Sequence, residues 1–474
     1  MVDLSQRPKV GSKAKMMSVK YVEQYGGSIE QPIDKSALLS QMFDAVVMLT
    51  FSDWHTEMRS NRYHYATRFA RDLPVLFVQP DLDKRHFAFE GSEISGVVLL
   101  HIDASPGLRR CRLLKAALEQ KGVHKPLLWV YNYNFIDFLA LCYGPVTVYH
   151  ASEDYFSPAF KIPDEAREEL RKVLRLCDLV VAVSEGVRDS FFGRGNYKGE
   201  ALVIPNGCDA KFWAPIQAEQ TDSTFVAGKR VALYQGGIHR KIDFALMEEV
   251  VGRLPDWEFW FCGEVYTGTV EWESLCRYAN VKYFGKLKPA EVRDLAHRST
   301  VGLIPFVQDE LIIERSFPLK AFEYLAAGLP VVTVPIKALL PHGQVFAFAS
   351  TPAQFAQAII TASPRRHEPQ ALERRLRAAR AHDYDMRFET LISSEAFRQA
   401  LTRPAKAFHR DVLSVRVTQF IALLWQETRR TLRSVLLFLI RLGAHVFGFM
   451  AGKDPSHVEQ SMINWLKRRR GVFA

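Results

Sequence analysis

Two doubly wound α/β domains in tandem, facing each other across a cleft and followed by a helical C-terminal extension, are the fold class the sequence predicts. Three observations predict it. From residue 44 onward, short continuous runs of Val and Leu alternate with helix-sized segments, as parallel strands covered on both faces require. The alternation breaks at the polar stretch QAEQTDST, residues 217–224, and then restarts without a close internal repeat. At 474 residues and 48% hydrophobic side chains, the chain can bury more than one core.

Each segment follows from its pattern. Residues 1–40 are polar, punctuated by Lys, Gln and Gly, and lack the apolar core of a secretory signal, so export is not expected. Residues 41–215 form the first domain, with strands expected at AVVMLTF (45–51), VLFV (75–78), GVVLLHI (96–102), LLWVY (127–131), VTVY (146–149), LVVAVS (179–184) and ALVIP (201–205). Residues 225–400 form the second, with strands at VALYQG (231–236), EFWFCG (258–263), VKYFG (281–285), TVGLIP (300–305) and PVVTV (330–334), and closing helices after them. Residues 402–474 form a basic amphipathic helical tail. They hold 13 Lys plus Arg against 4 Asp plus Glu, which leaves 49 against 48 for everything before them. The net charge of +10 therefore belongs to the tail, which argues against a nucleic-acid binder and for a near-neutral body with a basic appendage. Cysteines at 111, 142, 177, 208, 262 and 276 form no C-x-x-C or zinc-finger pattern, so buried thiols in a reducing, cytoplasmic compartment are expected, with no metal site.

Open α/β sheets bind ligands outside the carboxyl ends of their strands. The residues there are mostly polar or glycine: Ser52 to Trp54, His150 to Tyr155, Ser184 to Gly186, Asn206-Gly207, Gly236 to Lys241 and Gly263-Glu264. In YQGGIHRKID (234–243), a strand runs through Gly236 and Gly237 into His239, Arg240 and Lys241. Glycines let backbone approach an oxyanion, and the cations neutralise a departing diphosphate. A tight turn followed by solvated charges has the same letters. In ERSFPLKAFEYLAAGLPVV (314–332), a helix carries one acid, Glu323, near its start.

Taken in order, VYHASEDY (148–155), CDLVVAVSEGV (177–187), LVIPNGCDAKFW (202–213), YQGGI with RKID, NVKYFG (280–285) and SFPLKAFEYLAAGLPVV (316–332) resemble the retaining GT-B glycosyltransferases of glycosyltransferase family 4, or glycosyl transferases group 1. The likeness covers roughly residues 40–395, and PLKAFEYLAAGLPVV is its most specific piece. It implies a nucleotide-diphosphate sugar held by the second domain, a glycan or lipid-linked acceptor held by the first, and no obligatory metal or separate cofactor. Bacterial cell-surface polysaccharide or lipopolysaccharide synthesis is the expected setting.

The resemblance also implies roles. Glu323 would bind the ribose hydroxyls, since a carboxylate accepts from two vicinal hydroxyls at once. The turn Ser316-Phe317-Pro318-Leu319 would present helix N–H groups to the diphosphate. Arg240 and Lys241 would stabilise the leaving group. His150 would stand beside the donor sugar, against the ordinary reading of a buried core histidine. Asp154 would orient the acceptor hydroxyl, against that of a helix cap. Arg59, Arg62 and His64 would meet the acceptor, against solvated charges on an amphipathic helix. The chain departs from the pattern at one place. Eight residues before Glu323, where a second acid is usual, stands Arg315; either Glu314 takes that role through a one-residue shift, or the role is lost and Arg315 serves the phosphates.

Two other classes are weighed. A dinucleotide-dependent oxidoreductase needs G-x-G-x-x-G after a strand, which neither domain has. A catalytically silent GT-B-like scaffolding protein is compatible with the interrupted acid pair. For the tail, arginines at 429, 430, 433 and 441 interrupt the apolar run from Val412 to Met450, so a membrane span is not expected. A helix lying on an anionic membrane surface is expected instead, with packing on the first domain or an oligomer contact as the alternative.

Overall fold

The computed structural model describes residues 35–56, 59–81, 86–141, 146–158, 162–215, 230–266, 270–402, 410–451 and 454–468. The polar stretch 217–224, Cys142 and nearly all of the polar N-terminal segment lie outside the described residues.

The first domain is built from α1 (Lys35–Met42), β1 (Ala45–Leu49), α2 (Asn61–Phe69), β2 (Val75–Asp81), β3 (Ala88–Gly91), β4 (Val97–Asp103), α3 (Leu108–Gln120), β5 (Pro126–Val130), α4 (Ile136–Leu141), β6 (Thr147–Ala151), α5 (Asp164–Leu176), β7 (Leu179–Ala182), α6 (Glu185–Gly193), β8 (Glu200–Val203) and α7 (Ala210–Trp213). Its strands form one sheet in the order β3-β4-β2-β1-β5-β6-β7-β8, parallel except for β3 at the edge. Strands β1, β5, β6 and β7 are buried along their whole length, as the unbroken apolar runs require of a sheet covered on both faces.

The second domain comprises β9 (Arg230–Gln235), α8 (Phe244–Arg253), β10 (Trp257–Cys262), α9 (Val270–Leu275), β11 (Val281–Tyr283), α10 (Pro289–Arg298), β12 (Val301–Ile304), α11 (Glu310–Arg315), α12 (Leu319–Ala326), β13 (Val331–Thr333), β14 (Phe346–Phe348), α13 (Pro352–Ala362) and α14 (Pro369–Ala381). Its sheet is parallel throughout, in the order β11-β10-β9-β12-β13-β14. The order reverses between β9 and β12. Helices after these two strands depart to opposite faces, which leaves a crevice at their carboxyl ends. Gly302 in β12 keeps this crevice compact, because a Cβ there would stand 2.5 Å from the Tyr324 ring. That ring threads to the end of β9, where its hydroxyl accepts from Gln235 N at 2.8 Å and donates to Leu233 O at 3.0 Å.

One boundary differs from expectation. The closing helices α15 (Tyr384–Ser393) and α16 (Glu395–Thr402) leave the second domain and complete the first. Tyr384, Phe388, Leu391, Phe397 and Leu401 share a buried cluster with Val46, Phe69 and Trp129. Arg68 Nε pairs with Asp385 at 2.9 Å across the same seam. Coverage of the apolar surface that α1 and α2 leave open, over β7 and β8 and along α2 itself, explains the crossing.

The tail forms α17 (Arg410–Ala451) and α18 (Pro455–Arg468). The first turns of α17 pack on α3, α4 and α5, with Val412 and Val415 in the first domain's core. Arg416 is buried there, donating to the carbonyls of Leu139 and Ala140 at 3.4 and 2.9 Å. No described helix is long and apolar enough to cross a membrane. Of the cysteines described, Cys111, Cys177, Cys208 and Cys262 are buried, whereas Cys276 is exposed, contrary to expectation, on the turn after α9.

Candidate active site

The crevice at the end of β9 opens into a cleft of about 400 Å³ between the domains. Its floor is Glu323, on the second turn of α12 and only 7% exposed, whose carboxylate accepts from Gln235 Nε2 at 2.6 Å. Burial pushes this carboxyl up to about 7, opposed by Lys320 and by the Gln235 hydrogen bond. Lys320 lies one helical turn earlier, so helix geometry puts both groups on one face. Burial pulls its ammonium down to about 7, with Glu323 opposing, and its Nζ rests 3.8 Å from the Tyr234 ring centroid. Gly236, at φ 113°, leaves the space that Lys320 enters; a Cβ there would lie 2.9 Å from Nζ. Gly263 packs against the backbone of Gly236 so closely that only glycine fits.

The second domain supplies more cations. Lys241 Nζ pairs with Glu153 of the first domain at 3.1 Å. His239 Nδ1 accepts from Lys241 N at 3.1 Å, and burial, with Lys320 and Lys241 adding to it, pulls the imidazole down to about 4. Arg315, at the end of α11, reaches across to Asp154. Asp154 is buried and also accepts from Ser190 Oγ at 2.7 Å and Phe156 N at 3.2 Å. The domains touch closely here. Ser184 caps α6 and donates to Arg315 O at 2.9 Å, and a Cβ at Gly186 would meet Glu314 O at 2.6 Å. Asn206 Nδ2 donates to Phe317 O at 2.9 Å, holding the turn before α12 against the first domain. No side chain caps that helix, so its first N–H groups face the cleft end of the turn.

The first domain contributes Arg59 and Arg62. Arg59 adopts a positive φ of 51° and lays its guanidinium 4.1 Å from the Phe212 ring centroid. Arg62 lies over Tyr131 at 5.1 Å, and its buried Nε finds no hydrogen-bond partner. Among the described residues neither has a carboxylate within ion-pairing reach.

Of the residues expected from sequence, the cleft brings together Arg59, Arg62, Asp154, Gly236, Gly237, Lys241, Ser316, Phe317, Pro318, Leu319 and Glu323. Four expectations are corrected. Glu314 turns outward and pairs with Lys337, because α11 ends by aiming the next residue, Arg315, inward. Arg240 is exposed on the rim rather than lining the cleft. His64 is buried at the seam, stacked 4.0 Å from the Tyr384 ring and bonded to the backbone of Arg59, so it steadies the Arg59 loop. His150 sits inside β6 among Tyr65, Trp129 and Tyr131, the last stacked at 4.9 Å and carrying Arg62 on its ring. Burial, with Arg62 adding to it, pulls His150 down to about 3, so the imidazole is neutral behind the wall. Sequence reasoning missed Lys320 and Gln235, and placed Glu153 and Asn206 at strand ends without giving either a role. Lys320 had a usable signal, its three-residue spacing from Glu323.

Fold and cleft together define a two-domain protein of the GT-B fold. Residues 240–393, most of the second domain, match the family model described as Glycosyl transferase-like. A Bacillus subtilis (strain 168) protein assigned to teichuronic acid biosynthesis as the glycosyltransferase TuaH is 32% identical over 133 residues, which is 27% of this chain and 33% of that one. The match thus spans about a third of the relative's length. Among solved structures, sucrose-phosphate synthase from Thermosynechococcus elongatus superposes with a TM-score of 0.57 at 14% identity, covering 73% of this chain and 96% of that one. Anabaena HepE in complex with UDP and glucose gives 0.53 at 16% identity, covering 73% and 97%. Both likenesses are of fold.

Proposed function

We propose that the chain transfers a sugar from a nucleotide-diphosphate donor to a glycan or lipid-linked acceptor, with retention of anomeric configuration and no metal, in cell-surface polysaccharide synthesis. One observation carries this reading. The switch point of the second sheet opens on a buried carboxylate, Glu323, beside Lys320, in a cleft that Lys241, Arg315 and the first domain also line. The teichuronic acid synthesis to which the Bacillus subtilis relative is assigned, and the UDP and glucose bound by Anabaena HepE, fit such a site.

In this reading Glu323 accepts both ribose hydroxyls, and its raised proton affinity falls as those donors and Lys320 surround it. Lys241 exchanges Glu153 for the diphosphate, joined by the N–H groups at the start of α12 and by Lys320, whose ammonium the phosphate charge then favours. Such cations do the work a metal would otherwise do. The bond from the anomeric carbon to the diphosphate breaks while the acceptor oxygen bonds on the same face, and the acceptor proton passes to the departing diphosphate oxygen. Asp154, occupied by Arg315, Ser190 and Phe156, positions Arg315 rather than taking a proton. Arg59 and Arg62 meet an acidic group of the acceptor. The chain works on the cytoplasmic face of the membrane, held there peripherally.

A silent binding protein is the second reading, favoured by the cross-cleft pair that occupies Arg315 where an acid is usual. Incubation with a panel of nucleotide sugars, reading nucleotide release and thermal shift with and without EDTA, separates them; NMR of the product gives the anomer. Turnover unaffected by EDTA is expected. Binding of NAD with no response to any nucleotide sugar overturns the proposal.

A further inference from the structure

Helix α17 is docked along one side only. At 100° per residue, Val412, Val415, Leu423, Ile440 and Ala444 fall on one half of the helix and are all buried, the first two in the first domain's core. Near the last pair α18 folds back, where Arg441 Nε donates to Glu459 Oε1 at 2.9 Å. The orientation of α17 is therefore fixed by the body of the protein.

The other side is a single apolar stripe from Leu413 to Leu442, about 44 Å long at helical rise. Phe420, Leu424, Trp425, Leu432, Phe438 and Leu439 lie on it, each between 44% and 64% exposed. Its polar members are Ser414, Thr428 and Thr431, and the two threonines turn their hydroxyls back onto the carbonyls of Leu424 and Glu427. No carboxylate falls within it. Patches this large and continuous on a monomer mark a surface that meets something else.

We propose that this stripe lies in the surface of an anionic lipid bilayer. The proposal deepens the peripheral location given above and rests on it. Charge selects the occupant. Residues 402–474 carry +9, so two copies meeting stripe to stripe repel, whereas acidic headgroups attract the same charge. Arg429 projects from one edge of the stripe and reaches back over the Trp425 ring at 4.1 Å, and Glu427 borders the other edge. An aromatic ring at the apolar boundary with a cation beside it suits the interface between acyl chains and headgroups. Because the opposite face is packed on α3, α4 and α5, binding holds the first domain against the membrane.

Flotation of the full chain with phosphatidylcholine vesicles, with and without phosphatidylglycerol, at about 0.1 M and about 1 M salt tests this. Three full-length proteins are compared: the parent, an R429Q variant, and an L424E/L432E/L439E variant altered only at exposed positions. Thermal transitions and nucleotide-sugar binding are checked for each, so that failure of this proposal is separable from failure of the donor reading. The parent is expected to float with acidic vesicles and to be partly released by salt. The R429Q variant should bind about fivefold more weakly. The triple variant should stay at the bottom while keeping its thermal transition. A parent that does not float, or a triple variant that floats as well as the parent, overturns the proposal. So does a parent that sediments as a dimer and becomes a monomer in the triple variant, which would assign the stripe to a second copy.

Discussion

Glu323→Gln separates the fold from the function, because the residue that the cleft buries is one that folding would rather have neutral. The carboxyl ionises near its ordinary 4.5 in the unfolded chain and near 7 in the folded one. Between those values the folded state holds a proton that the unfolded state has released. Stability is therefore fully present below pH 4.5 and declines as pH rises to 7. A displacement of about 2.5 units corresponds to about 3 kcal/mol, or on the order of 5–10 °C in the melting temperature of a domain this size. Gln keeps the shape and has nothing to titrate. The melting temperature of the variant minus that of the parent should thus grow steadily from pH 5 to pH 7.5 and level off above. Donor binding should move the other way. Losing two hydrogen bonds to a charged acceptor, each about 1.5–3 kcal/mol, weakens nucleotide-sugar affinity by about two orders of magnitude or more. Scanning fluorimetry across this pH range and titration calorimetry with the donor read both. Parallel melting curves would show that Glu323 is not the buried titrating group, and donor affinity within threefold of the parent would remove it from the nucleotide site.

Lys241→Ala should lower kcat by about a hundredfold or more, as loss of a leaving-group cation does, while Arg240→Ala on the rim stays within a few-fold; equal effects in a transfer assay would contradict the placement of the two side chains. Arg315→Ala leaves Asp154 with Ser190 and Phe156 only and should destabilise the chain by about 1–3 kcal/mol, seen in fluorimetry as earlier melting and in proteolysis as looser domains, with Lys at 315 restoring part of the loss. His150→Phe should leave the shape of the pH–rate profile unchanged, since the imidazole is already neutral above about pH 3; a limb near pH 6 that vanishes in this variant would show that His150 titrates. Arg59→Ala and Arg62→Ala should each raise the acceptor KM about tenfold or more and leave the donor KM alone, and the reverse pattern in initial-rate kinetics would move both to the donor side.

Sequence periodicity reaches the two sheets almost completely, because strands buried on both faces are written as unbroken apolar runs. It misses the edges. Strand β3, AFEG, alternates nothing and is half exposed, and β14 is a three-residue FAF behind a turn. Along the cleft, Asp154, Gly236, Gly237 and Lys241 are legible because they follow strands, where chain direction points them at the crevice, whereas Arg59, Arg62, Glu323 and the turn 316–319 are legible only through the resemblance. Those misread depend on orientation within an element. A strand period of two decides whether His150 faces the cleft or Trp129, and a helix end decides whether Glu314 or Arg315 turns inward; neither choice shows in residue types. Asn206 and Glu153 follow strands too, but their partners, Phe317 and Lys241, are met only through the packing of one domain on the other, which no local pattern encodes.

The return of α15 and α16 to the first domain has a consequence for synthesis. The sheet of that domain is complete once Val203 is made, yet one of its faces awaits Phe388, Leu391 and Phe397, roughly two hundred residues later. At about 5–20 residues per second the ribosome needs on the order of 10–40 seconds to deliver them. During that interval the apolar surface that α15 and α16 cover, on α2 and over β7 and β8, stands open, and the second domain can reach its own fold first. The nascent chain thus carries an open hydrophobic face for most of its elongation, and a stop codon anywhere between 210 and 383 yields a first domain permanently in that state, a substrate for chaperones and proteases rather than a smaller working protein.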